Sequence, residues 1–466
     1  MNRKNDKKII VIGILLLYVV ISWFVKTASF DANGEFLVGG AIRIGLFEFI
    51  YDVFAAFAAK IDRIFYILCI GGMYGILVNT NFYKRLIKRI CNFVKGKENI
   101  FFIVVTLIVS IYASITKELL APLIVVPFII SIFLKLNYDR LTAVSASFGA
   151  IIIGFMGQTI GTYGITSFAK ELGISYNAML LEKIIFFIIS YVLYALFCLY
   201  HMKRIKRKDY SDEDLFYVED IKDGKLKKKA KTKYVLSLIF AVLFVVFIFI
   251  GYISWSDSFG IKFFSELHKK LQSAMSIGGV PILSTIFGNS LSGIGEWKEF
   301  ATPSLIIILF SLIVGLLNKQ SLGKMVDNFS DGVKKIFKVA FIYGLVHTIS
   351  IMYQQSPWFN RIIQAMLSNT NAFTLFFAGF VLSLVAIEFG YGPFVPLVDT
   401  AKVDLSVLAL RTGSALSLIV SPTSAIILMA LTYLDISYKK WFKYIWKFVL
   451  AYLLLAMLFM AVVVFM

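Results

Sequence analysis

Four ionisable side chains stand in stretches otherwise dominated by apolar residues: Lys117 and Glu118 in SITKELLAP at 114–122, Glu388 in VAIEFGYGP at 385–393, and Arg411 in LALRTGS at 408–414. A charge at the centre of a bilayer costs roughly 2.5–3.5 kcal/mol on insertion scales, so such groups are expected to face an interior cavity that receives a polar solute. Two further stretches interrupt long apolar runs. In FMGQTIGTYG at 155–164, Gly157, Gly161 and Gly164 permit backbone turns while Gln158, Thr159, Thr162 and Tyr163 offer polar groups. In LIVSPTSAI at 418–426, Pro422 removes a backbone donor and Ser421, Thr423 and Ser424 supply hydroxyls. A membrane helix broken at such points frees N–H and C=O groups and exposes helix ends that hold charge. Any one of these residues is equally well explained by close helix packing, Lys117 with Glu118 by a local pair, and Arg411 by snorkelling to an interface. Their grouping carries the functional reading.

The elements that must position them are membrane helices. Of 466 residues, 59% are hydrophobic and 16% charged, against roughly 25% charged in an average soluble domain. Apolar runs able to cross a core of about 30 Å are expected at 8–25, 63–79, 141–165, 183–201, 234–252, 302–318, 339–357, 405–433 and 445–466. The first is read as a span and not as a cleaved leader. The net charge of +19 sorts by side: with the N-terminus in the cytoplasm, the inner segments carry 33 Lys or Arg and the outer ones 12. That asymmetry is the positive-inside rule, so the basic balance points to the bilayer and not to a nucleic-acid partner. Segment 203–233, with 12 basic and 7 acidic residues, reads as a cytoplasmic linker. Segments 81–95, with Phe82, Leu86, Ile90 and Phe93 at helical spacing, and 320–338 read as amphipathic helices lying in the interface. Cys69, Cys91 and Cys198 read as packing residues, His347 as a packed or hydrogen-bonding one, and no spacing suggests a metal site, a cofactor or catalytic machinery. The Ser-Asn-Thr at 368–370 looks like a sodium motif but precedes a hairpin and does not form its tip.

The two halves answer each other. MYGILVNT at 73–80 is similar to IYGLVHT at 342–348; Glu118 before Pro122 and Pro127 corresponds to Glu388 before Pro393 and Pro396; GQTIGTYG corresponds to SPTSA. The expected fold is therefore an all-α polytopic membrane protein of two inverted repeats, each with a re-entrant hairpin and a broken transmembrane helix. The first repeat covers 1–202 with its hairpin at 99–136. After the linker, a connecting span and outer loop cover 234–300, and the second repeat covers 301–466 with its hairpin at 372–403. The hairpin arms of the first repeat, about 15 and 17 residues, are short for a full crossing, which places Thr116, Lys117 and Glu118 at a turn inside the membrane. Glu388, Gly390, Tyr391 and Gly392 form the opposite tip.

FYILCIGGMYGILVNT, KELLAPLIVVPFIISIFLKLNYDRLTA, AFIYGLVHTISIM and SPTSAIILMALTYLDISYKKWFKYI resemble the YfcC and C4-dicarboxylate anaerobic carrier family of the ion transporter superfamily. Two departures stand at the expected site: Lys117-Glu118 where an acidic pair is common, and Phe389-Gly390-Tyr391-Gly392 where Ser-Gly-Ser-Gly is common. The resemblance implies a secondary transporter of the bacterial cytoplasmic membrane, a homodimer with a scaffold and a moving domain, acting on C4-dicarboxylates or basic amino acids. From the residues, the expected solute bears a carboxylate, met by Lys117 and Arg411, with Glu118 and Glu388 suited to a zwitterion. A carboxyl in a partly desolvated cavity exchanges protons more readily, which favours proton coupling through Glu388, or plain exchange, over sodium. A channel and an intramembrane enzyme are the readings of a different class.

The topology has a direct check. Cysteine substituted for Asp220 and for Ala365 should label from opposite faces of sealed vesicles; labelling of both from one face would overturn the expected orientation.

Overall fold

The computed structural model describes residues 6–30, 36–116, 118–157, 159–161, 173, 175, 177–205, 228–273, 276–277, 280–281, 285, 292–297, 299–366, 371–386 and 403–465. In chain order, its principal helices begin with α1 (Asp6–Phe24), α2 (Leu46–Ala59), α3 (Ile61–Val78), α4 (Asn81–Val94), α5 (Glu98–Ile115) and α6 (Val126–Lys135). They continue with α7 (Arg140–Gly157), α8 (Leu180–Arg204), α9 (Lys228–Gly251) and α10 (Ala301–Leu317). The last are α11 (Leu322–Gln355), α12 (Ala372–Ala386), α13 (Val403–Val420), α14 (Ala425–Tyr433) and α15 (Tyr438–Phe465). Among the described residues, nine stretches are long and apolar enough to cross a bilayer, counting α13 and α14 as one interrupted span. The protein is an all-α polytopic membrane protein.

Close approach of helices depends on missing side chains. Where α3 crosses α11, a Cβ on Gly332 would run into the Gly71 carbonyl and one on Gly75 into the Asn328 carbonyl, while Gly72 lies under the Phe329 ring. Without a hydrophobic driving force between helices in lipid, such backbone contact supplies the van der Waals area that holds them. A glycine contact and a serine-to-carbonyl bond join two further helix pairs. In the first, Gly154 of α7 lies on the Ser110 carbonyl of α5, and Ser110 Oγ donates to the Ala150 carbonyl at 2.8 Å. In the second, Gly379 of α12 lies on the Leu410 carbonyl of α13, and Ser414 Oγ donates to the Gly379 carbonyl at 3.2 Å.

Helix α7 is positioned with unusual care. Asp139 caps it, accepting from Thr142 N–H at 2.9 Å and pairing with His201 of α8 at 3.2 Å. Burial pushes the Asp139 carboxyl up, but the hydrogen bonds from His201 and Thr142 outweigh it and hold its pKa below the usual value. A π-turn at Ser145–Gly149 comes next along the chain. It turns the Ser145 carbonyl toward α8, where Tyr194 Oη donates to it at 2.7 Å, and glycine at 149 leaves room for that hydroxyl.

Four local differences from the sequence reading have physical causes. The α5 arm is 18 residues, about 27 Å long, and so nearly spans the core by itself. Thr116, at its end, bridges to Ile253 just beyond the end of α9, so this turn lies level with a helix terminus and not halfway along one. Segment 320–338 is not a separate interfacial helix. It is the first half of the 34-residue α11, because Ser321 caps the start and no proline interrupts the run to Gln355. In α4 the buried face is Phe82, Tyr83, Ile87, Cys91 and Val94, with Phe93 turned out, since Cys91 and Val94 are the groups that face α6 and the core. Finally, α2 was not anticipated: its 14 residues are too few to span, and Asp52 interrupts its pattern yet is buried, accepting from Gln355 Nε2 at 2.6 Å. The three cysteines are buried and form no disulfide.

Gly332→Val should force α3 and α11 apart, lowering stability by about 1–3 kcal/mol and reducing monodisperse yield. Gly323→Ala, on the same helix with open space around it, should leave thermal stability in detergent unchanged or slightly raised. Equal behaviour of the two variants would contradict the packing account.

Candidate functional site

Every helix that stops inside the protein leaves carbonyls without partners, and in lipid each must find one. At the α13–α14 break the last carbonyls of α13 are met one by one. Leu418 O accepts from Ser424 Oγ at 2.6 Å, Ile419 O from Trp441 Nε1 at 3.0 Å, and Val420 O from Tyr438 Oη. Ser421 and Thr423 bond to each other, hydroxyl to hydroxyl, at 2.7 Å, and Thr423 N–H donates to Ser421 Oγ at 3.1 Å. Thr423 Oγ1 then reaches α12, donating to the Leu384 carbonyl at 2.5 Å.

The break after α7 repeats this contact. Thr159 Oγ1 donates to the Ser114 carbonyl at 3.4 Å and lies 3.2 Å from Ser114 Oγ, while Gly161 N–H donates to the same carbonyl at 3.0 Å. The two clamps occupy matching positions. Ser114 stands four residues before Glu118 and Leu384 four before Glu388; Thr159 stands two after Gly157 and Thr423 two after Ser421.

A cavity with an empty volume of about 550 Å³, mouth included, opens where the start of α3, the turn after α5, the middle of α11, the end of α12 and the α13–α14 break meet. Its polar wall holds Arg63, Glu118, His347, Ser350, Ser383 and Thr423; Leu119, Val346, Leu418 and Ile426 are among the apolar groups beside them. Arg63 Nη2 is 3.6 Å from Glu118 Oε1. The guanidinium is held from behind by Asp62, 3.3 Å from Nη1, and lies 5.2 Å from the centre of the Phe300 ring. Thr116 sets the turn: its Oγ1 donates to the Tyr252 carbonyl at 3.3 Å and accepts from Glu118 N–H at 3.3 Å. His347 is anchored within α11, its Nδ1 2.7 Å from the Tyr343 carbonyl.

Of the residues singled out in the sequence, Glu118 and Thr423 line this cavity. Thr116 and Thr159 support its surroundings, and Ser421 and Ser424 satisfy the break itself. Arg411, expected to serve the solute, is buried away from the cavity wall and donates through Nη2 to the Gly161 carbonyl at 3.2 Å. It ties α13 to the first break and does not snorkel outward. Lys117, Gln158, Thr162, Glu388, Gly390, Tyr391 and Gly392, and the Ser-Asn-Thr at 368–370, lie outside the described residues. Arg63 was not foreseen. It stands at the third position of an ordinary span, and in sequence such a residue reads as an interfacial anchor. Ser350 and Ser383 likewise gave no signal among many hydroxyls. Among the described residues no group of His, Cys, Asp and Glu is arranged to hold a metal ion.

The profile of the C4-dicarboxylate anaerobic carrier (DcuC) family matches residues 6–465. An uncharacterised protein of Haemophilus influenzae is 22% identical over 405 residues, covering 83% of this chain and 72% of its own. The putative basic amino acid antiporter YfcC of Escherichia coli is 20% identical over 419 residues, covering 87% and 78%. Among solved structures, the Alcanivorax borkumensis YdaH transporter is similar at 11% identity and a TM-score of 0.37, covering 100% of this chain and 99% of that one. Neisseria gonorrhoeae MtrF, described with a class of antimetabolite efflux pumps, is similar at 14% identity and a TM-score of 0.35, covering 99% and 94%.

The threonine clamps are testable apart from function. Thr423→Val removes the hydroxyl at constant shape and leaves the Leu384 carbonyl without this donor, so stability in detergent should fall by about 0.5–2 kcal/mol. Thr423→Ser should recover most of the loss. A valine variant that melts with the wild type would show that the clamp carries no weight.

Proposed function

The chain belongs to the C4-dicarboxylate anaerobic carrier family, and from that premise we propose that it is a secondary active transporter. It moves a small carboxylate-bearing metabolite, an amino acid or a C4-dicarboxylate, across the bacterial cytoplasmic membrane by alternating access. The observation that carries the reading is the pair of threonine clamps, Thr159 on Ser114 and Thr423 on Leu384, the second of them on the wall of a cavity that presents both charge signs. Two equivalent broken helices, each fastened to an adjacent hairpin arm, suit a site that is closed first from one side and then from the other. A continuous pore needs no such symmetry. In this reading the two halves are inverted repeats, 1–202 and 301–466, joined by the basic linker 203–233 and the connecting segment 234–300. The N-terminus is cytoplasmic, and the protein works as a homodimer.

A second reading, exchange of basic amino acids, is favoured by Glu118 on the cavity wall and by the name of the E. coli relative. For energy coupling we assign the proton, with Glu388 as its carrier. Glu118 is the weaker candidate because it is already engaged with Arg63, whose Nη2 lies 3.6 Å from its Oε1.

Counterflow in proteoliposomes tests both steps. Liposomes loaded with individual amino acids and dicarboxylates should show exchange with at least one labelled member of the panel. Under an imposed pH gradient the wild type should concentrate that solute, and Glu388→Gln should exchange it without concentrating it. Exchange of nothing in the panel would remove the transporter reading. Accumulation that follows sodium and ignores pH would remove the proton.

A further inference from the structure

Helix α2 buries an acid in the face it packs against its neighbours. Its fully buried residues are Asp52 and, one turn on, Ala56, and its main packing partner is α11; its other acid, Glu48, is exposed. Asp52 is 0% exposed, yet only one of its carboxyl oxygens is partnered. Oδ1 accepts from Gln355 Nε2 at 2.6 Å, at the end of α11, while Oδ2 is buried with no hydrogen-bond partner among the described residues. An ionised carboxylate so placed exchanges its hydration for one neutral donor, a loss the group avoids by taking up a proton. As an acid it keeps the bond from Gln355 and leaves only a neutral hydroxyl to be accommodated.

The charges that could offset the burial are engaged or stand elsewhere. Glu48, one turn earlier on α2, has the same sign, and its Oε2 accepts from Gly45 N–H at 2.7 Å. Arg43, before α2, is exposed, and Lys60 follows about two turns beyond Asp52, where α3 begins with Asp62 and Arg63 against each other. On α11, Tyr353 donates to Asn360 Oδ1 at 2.7 Å and His347 is anchored on the Tyr343 carbonyl. Helix α1, which also packs on α11, presents Tyr18 to the Ser356 carbonyl at 2.8 Å. Among the described residues no cation forms an ion pair with Asp52. Burial raises the Asp52 pKa above its usual value; the bond from Gln355 opposes this in part, and the Glu48 carboxylate adds to it.

We propose that the Asp52–Gln355 contact is a proton-binding site, reached from the face of the protein at which α11 ends, and that release of the proton loosens α2 from α11. The site goes beyond the transporter reading: Asp52 does not line the cavity and is distinct from Glu388. Its cover gives the proton a way in and out. Gln355, whose amide lies on the carboxyl, is itself exposed, so a movement of that one side chain brings water to Asp52. A second point pins α2 to α11, where Phe57 lies against Gly344 and 5.3 Å from the centre of the Phe341 ring. That contact is apolar and indifferent to pH. Ionisation of Asp52 therefore weakens one of the two attachments and leaves the other, and α2 parts from α11 at its Asp52 end.

The experiment is a pH titration of the purified full chain in mild detergent, followed by thermal unfolding and by infrared difference spectroscopy. The folded state holds this proton above the pH at which an unfolded aspartate, with a pKa of about 3.9, has lost it. Stability therefore falls as pH rises from there through the folded-state pKa, and stays lower above it. Asp52→Asn, which keeps the acceptor oxygen and the shape of the acid, should remove that step from the melting temperature and match or exceed the wild type at its alkaline end. The same variant should lack a protonated-carboxyl C=O band that the wild type loses over the same pH range. Glu388→Gln should leave both the band and the step in place, which separates this site from the coupling assignment above. Gln355→Ala, which opens the cover, should move the step toward the ordinary carboxylate range. Superimposable profiles and bands for the wild type and Asp52→Asn would overturn the proposal, as would an asparagine variant less stable than the wild type at every pH. Stabilisation of the wild type by sodium over choline at constant pH, lost in Asp52→Asn, would overturn it in favour of a metal cation.

Discussion

A backbone carbonyl set free inside a membrane must find a donor, and the architecture around the cavity depends on that requirement. Helix α13 stops at Val420, and three side chains from α15 and the break itself meet its last carbonyls: Ser424, Trp441 and Tyr438. Helix α7 stops at Gly157, and the strand of backbone beyond it is held by Ser114, by Thr159 and by Arg411. With those groups satisfied, the ends of helices can lie in the interior at no prohibitive cost, and a polar cavity can open beside them.

The same accounting gives several of the conspicuous polar residues a structural task. Ser421, Ser424 and Arg411 are the type of residue that suggests solute binding, yet each is engaged with backbone that the breaks expose. Among the described residues the cavity wall carries the cation Arg63 and the anion Glu118, which come from different elements. Glycine performs the complementary task between helices. Gly71, Gly75 and Gly332 bring α3 against α11, and that contact sets the start of α3, with Arg63, beside the turn that carries Glu118.

Two kinds of contact each occur twice in the structure. A serine-to-carbonyl bond and a glycine contact join α5 to α7 and, again, α12 to α13. A threonine hydroxyl on the carbonyl of a hairpin arm recurs at the two breaks.

Hydropathy and charge placement alone determined that the chain is a helical membrane protein, and they placed the starts of α1, α3, α7, α8 and α13 within three residues, because burial in lipid demands uninterrupted apolar length; α11 and α15 begin well before their apolar cores, at Leu322 and Tyr438. Glycine, proline and hydroxyl clusters determined where two helices break, since those residues change what the backbone can do locally. The depth of the first hairpin turn, the run of α11 through 320–338 and the buried face of α4 were decided by tertiary packing, which competes with local pattern at each of those places. The role of each polar residue was decided there as well. Arg411 and Arg63 look alike in sequence, one cation apiece in or beside an apolar run. Only the fold sets one against the Gly161 carbonyl and the other against Glu118, because that depends on which distant segment arrives within about 3–4 Å of each guanidinium.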